Sequence, residues 1–136
     1  MIKYETISKS NDGMPQWNSF FNPVLTIIQK KETWINRELK TAVVDYIGLP
    51  AELKERRYED SRYKNNETIA ENRVGFAISA LKNAGLISSP KLGIVKSNKA
   101  GIKYLQEHGD EISEKQIKSL PKYREHEKMV AARKKN

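Results

Sequence analysis

Asn72, Gly75, Ser79 and Asn83 follow one another at intervals of three, four and four residues, with Arg73 beside the first and Lys82 beside the last. That spacing gathers the four onto one face of a helix. The chemistry such a face offers is non-covalent. An asparagine amide donates and accepts at once, a guanidinium presents a planar fork of donors, and glycine and serine keep the surface low enough for a partner to come close. The stripe is polar, small and almost uncharged, as an ordinary solvated helix face also is.

Bond-breaking chemistry finds less support. Asp45 followed by Glu52-Leu53-Lys54 has the residue types of a metal-dependent hydrolase, in which carboxylates hold a divalent ion and lysine assists the attacking water. Those groups must converge from a rigid sheet edge, whereas here they fall at the end of one helix and in the short piece after it. The chain has no cysteine, which excludes disulfides, thiolate nucleophiles and sulfur-bound zinc. His108 and His126 have no second imidazole or carboxylate cluster at ligand spacing, no serine stands in an activating context, and no glycine-rich phosphate loop occurs. No catalytic residue, metal or cofactor is expected.

The elements that must position the stripe can be read from periodicity. Residues 1–14 end in a turn-like Ser10-Asn11-Asp12-Gly13 and read as a flexible lead-in. Trp17, Phe21, Val24 and Ile28 then recur at helical spacing, with Asn22-Pro23 forcing either a kink or a start near Pro23. Thr33 is expected to cap a second helix with Ile35, Leu39, Ala42, Val43 and Tyr46 inside, stopped by Gly48; Pro50 opens a short third one through Tyr58. The polar run from Lys54 to Asn66 reads as a surface loop. Thr68 with Glu71 matches a capping box, and Ala70, Val74, Ala77, Ile78 and Leu81 form the inner stripe of the helix it starts, which ends at Gly85. Phe76 falls off that stripe and is expected to pack against the first helix, with a partner surface or a methyl-contacting role as the alternatives. Trp17, Trp34 and Tyr46 are expected in the core rather than as stacking platforms.

Leu86-Ile87 and Ile94-Val95 form a hairpin, and Ser97 or Asn98 leads into a last core helix through Ile102 and Leu105. The predicted class is mainly α with a small β-hairpin, in the order of a winged helix-turn-helix. It spans residues 15–110, with 111–136 as a basic tail or linker. At 136 residues one domain is the expectation. No apolar run is long enough for a membrane span and no secretion signal opens the chain, so the cytoplasm is expected.

Lys and Arg number 25 against 17 Asp and Glu, a formal charge of +8. From Ile112 onward eight residues are basic and three acidic, leaving 17 basic and 14 acidic before it. Most of the excess lies in the tail, so total charge overstates any basic face on the folded part. The stripe argues better. A duplex major groove is about one helix wide, and only a small polar face approaches base edges within it. On that reading double-stranded DNA is the partner. Its candidate contacts are Asn72, Arg73, Ser79 and Lys82, the helix start at Thr68, the preceding Tyr63, Lys64, Asn65 and Asn66, and Lys91 at the hairpin tip.

The runs Phe21-Asn22-Pro23-Val24-Leu25, Asn72-Arg73-Val74-Gly75-Phe76-Ala77, Leu81-Lys82-Asn83-Ala84-Gly85-Leu86-Ile87, Ser89-Pro90-Lys91-Leu92-Gly93-Ile94-Val95 and Ala100-Gly101 resemble the N-terminal domain of Mrr-like restriction endonucleases. The likeness covers about residues 15–108. It departs from the family at Phe76, where tryptophan is usual, and at Ser97 or Asn98, where threonine is frequent. The resemblance implies a winged-helix domain that recognises DNA for a restriction system, including modified DNA, beside a separate nuclease domain or subunit. No residues here match that nuclease, so the chain is expected either as a fragment of a larger enzyme or as a targeting domain for another system. A protein-interaction or dimerisation module, and a free-standing transcription regulator acting as a homodimer, are the alternative readings.

Overall fold

Pro23 lacks an amide hydrogen, so its helix must begin close by. In the computed structural model, which describes residues 2–59 and 67–135, helix α1 is Phe21–Ile28. Pro23 lies in its first turn, where the amide has no intrahelical acceptor to lose. A short 3₁₀ turn, Trp17–Ser19, precedes it, and seven of the eight α1 residues are buried. Among them is Asn22, whose Nδ2 donates to the Gly109 carbonyl at 2.7 Å and pins α1 to a distant segment.

The segment after α1 departs from the helical expectation. Trp34–Ile35 is strand β1, and α2 (Asn36–Ile47) starts only after it, with extended Ile35 as its N-cap in place of Thr33. The reason is tertiary. Trp34 pairs with Val95 and Ile35 with Ile94, and the Trp34 indole donates to the Ile28 carbonyl at 2.9 Å. Ile35 is thereby left on the outside, and half exposed. Gly48, at φ 76°, ends α2 in a left-handed conformation that other residues rarely adopt. Helix α3 (Ala51–Glu55) follows from Pro50 and is shorter than expected.

Helix α4 (Ile69–Asn83) begins at the anticipated capping box and buries the anticipated stripe, with Ile69 and Ala80 added. Strands β2 (Ile87–Lys91) and β3 (Ile94–Ser97) form the hairpin, and β1 joins it to give an antiparallel sheet in the order β1-β3-β2. Gly93, at φ 81°, completes the two-residue turn. Helix α5 (Lys99–His108) is capped by Asn98, whose Oδ1 accepts from the Gly101 amide at 2.8 Å. The same side chain donates to the Gly85 carbonyl and to Ser88 Oγ, fastening α5 to the hairpin base. The chain is mainly α-helical with a small three-stranded antiparallel sheet, an arrangement of the helix-turn-helix kind.

Both ends differ from the sequence reading. Instead of a free lead-in, Ile7 and Met14 sit in the core, Lys9 bridges to Pro15, and the Tyr4 amide donates to the Ile47 carbonyl. The C-terminal segment forms α6 (Glu114–Lys118), opened by a Ser113 capping box, and α7 (Pro121–Lys135). Ile117 is fully buried, and Ile112, Leu120 and Tyr123 pack partly buried against the core beside it. Among the described residues no helix is long and apolar enough to cross a membrane.

Candidate nucleic-acid interface

The two ends of α4 have opposite chemistry. At its start the Thr68 hydroxyl accepts from the Glu71 amide and donates to the Glu71 carboxylate, which in turn takes the Thr68 amide. The cap occupies the amides that would bind an anion. Glu67 forms an ion pair with Lys40, and Glu71 also accepts from Thr41 at 3.1 Å. Asp45, Glu55 and Glu71 line a small cleft beside this end together with Lys54, which pairs with Asp45. A phosphate approaching Thr68 would meet carboxylates.

Two expected contact residues are also engaged within the chain. Asn72 Oδ1 accepts from the Tyr58 hydroxyl at 3.1 Å, and its Nδ2 donates to Glu67 at 3.5 Å. Arg73 Nη1 donates to the Pro15 carbonyl at 2.9 Å and to Ser10 Oγ at 3.1 Å, clamping the N-terminal segment onto α4. Gly75 is small for an internal reason as well. A Cβ there would lie 3.0 Å from Lys40 Cε, so the glycine makes room for the lysine stem on its way to Glu67.

The second half of α4 is different. Gly75, Ser79 and Lys82 face the hairpin residues Ser89 and Gly93 and the start of α2 at Asn36 across a groove of about 170 Å³. Among the described residues no carboxylate lines it. Ser79 and Lys82 are exposed, and neither side chain has a hydrogen-bond or ionic partner among the described residues; the same holds for Lys91 at the hairpin tip. The tip is held firmly, because Ser89 Oγ donates to the Ile94 carbonyl at 2.8 Å across the turn. Asn36 Oδ1 is buried without a donor among the described residues, leaving an acceptor beside the groove.

Of the expected contacts, Ser79, Lys82 and Lys91 share this end of the molecule, while Thr68, Asn72 and Arg73 do not open onto it. Tyr63, Lys64, Asn65 and Asn66 lie outside the described residues. Sequence reasoning missed Asn36 and Ser89. Asn36 was hidden by the unforeseen strand before it; the Ser-x-Lys-x-Gly pattern of the hairpin was the available signal for Ser89. Phe76 is not buried by packing against the first helix: it is 55% exposed.

The nuclease-like trio resolves into ordinary ion pairs. Lys54 Nζ lies 2.7 Å from Asp45 Oδ1, and Glu52 pairs with Arg56. The hydrogen bond to Asp45 holds the Lys54 ammonium above its usual range, the protonated state opposite to a general base. No group of three or more histidines or carboxylates suited to a metal ion occurs among the described residues.

A family model for the Mrr N-terminal domain matches residues 17–107, from the 3₁₀ turn through α5. The chain belongs to this family. The Mrr N-terminal domain is a non-catalytic domain, and the match encloses both halves of α4, the hairpin and the groove between them. Membership points to DNA recognition in a restriction system, and the context of the Mrr domain implies DNA and a nuclease domain or subunit as its associates. Comparisons with curated proteins and with solved structures returned no match.

Proposed function

We propose that this Mrr N-terminal domain is a winged helix that binds double-stranded DNA for a restriction system, with the second half of α4 as the recognition surface and the β2–β3 hairpin as the wing. One observation carries the reading: among the described residues no carboxylate lines the groove between α4 and the hairpin, and Lys82 on its wall and Lys91 at the hairpin tip have no partner, whereas acids gather at the start of α4. A polyanion is drawn to the first and repelled from the second. Ser79 keeps the second half of α4 low enough to enter a major groove, and Lys91 at the tip reaches along the backbone.

A duplex of about three helical turns titrated at several salt concentrations tests this. Each phosphate contact adds about 0.9 to the slope of log affinity against log salt, so the Lys82→Ala and Lys91→Ala variants should each flatten it by about that amount. An almost flat dependence for the wild type would direct the search to a protein partner. Selection of modified DNA is checked by comparing methylated with unmodified duplex of one sequence, and equal affinity would discard that refinement alone.

A further inference from the structure

We infer that a recess adjoining the groove at Ser79 receives a nucleobase displaced from the DNA stack, an inference that rests on the duplex-binding reading above. Trp17, Phe76 and Tyr123 come from three separate elements, the 3₁₀ turn, α4 and α7, to line an open recess of about 370 Å³ together with Ser79, Asn83 and Lys118. Ser79 lines the groove as well, so the two cavities adjoin along α4.

The lining has the chemistry of a base site. Aromatic faces stack on any base, and an asparagine amide with a serine hydroxyl offers donors and acceptors to a base edge. Phe76 is more than half exposed on a helix whose inner face is already filled, so its ring is available to a ligand. Among the described residues no carboxylate lines the recess. Lys118 Nζ lies 6.0 Å from the Trp17 ring centre and pairs with Glu114 at 3.8 Å, and Lys122 extends over Gly85 nearby. Aromatic walls alone would also suit an apolar protein side chain; the basic surroundings and the shared Ser79 favour DNA. The size falls within the roughly 300–1,000 Å³ range of small-ligand sites.

Displacing a base costs least where it is already unpaired, so the preference can be read without knowing the target sequence. The full chain is titrated with a matched duplex and with the same duplex carrying one unpaired adenine. The wild type should prefer the second by about tenfold or more, and tryptophan emission should be quenched on binding it. Trp34 is buried, so the quenching reports Trp17. Phe76→Ala and Tyr123→Ala should lose preference and quenching while retaining matched-duplex affinity and salt slope. Phe76 is exposed, and a thermal melt confirms that its variant is folded. Equal wild-type affinity for the two duplexes overturns the inference, as does a preference that survives in both variants. If the wild type binds neither duplex at low salt, the duplex-binding reading fails first and the base site falls with it.

Discussion

Asn72 and Arg73 show how far a side chain's type can be read without its neighbours. Their spacing and donor capacity suit base and phosphate contacts, yet Tyr58 and Glu67 take the amide and the N-terminal segment takes the guanidinium. The partners of Arg73 are not visible in sequence, because Ser10 and Pro15 are 63 and 58 positions away. Ser79, Lys82 and Lys91 are left open to a partner for the opposite reason: nothing else in the described chain uses them. Arg73→Ala is therefore expected to lower stability by about 2 kcal/mol, the scale of hydrogen bonds to a charged donor, and to leave the salt slope of duplex binding unchanged. Denaturant unfolding paired with a salt titration decides it; an unchanged midpoint with a flatter slope would return Arg73 to the phosphate backbone. Asn72→Ala should likewise cost about 1 kcal/mol of stability and alter affinity for different duplex sequences little.

Elements were legible where local signals and tertiary packing agree. The Thr68 capping box, the inner stripe of α4 and the hairpin follow from patterns within a few residues, and each stands where expected. Strand β1 was not legible, because two residues carry too little pattern and its cause is the distant Ile94-Val95 pair. Close approach of elements is equally hidden. A Cβ at Gly101 would lie 1.9 Å from the Leu86 carbonyl oxygen and 3.2 Å from Leu25, so α5 crosses the start of the hairpin at a distance only glycine allows. Gly101→Ala should push α5 off and cost about 3 kcal/mol or more, since backbone cannot yield as a side-chain tip can. By contrast a Cβ at Gly75 meets only the flexible stem of Lys40, and Gly75→Ala should cost under about 1 kcal/mol. Unfolding curves for the two variants measured together check the ranking; equal losses would show that the contact at Leu86 is not the deciding one.

At the scale of the whole molecule, the C-terminal segment changes which experiment discriminates a groove from a charged arm. Read as a tail, it invites truncation after Gly109, with any lost DNA affinity assigned to its basic residues. Ile117, however, is fully buried, and α6 and α7 both pack against α4. Truncation would uncover that side of the core; even Ile117→Ala is expected to cost about 2–5 kcal/mol. Loss of binding after truncation would then report unfolding as readily as a lost contact. Replacing Arg124, Lys128, Arg133 and Lys134 by glutamine keeps the helix and removes the charge. This variant should melt close to the wild type and bind duplex with a flatter salt slope, yet keep more affinity than a variant lacking both Lys82 and Lys91. The reverse order, with binding abolished by the glutamines and untouched at Lys82 and Lys91, would move the DNA contact from the groove to α7.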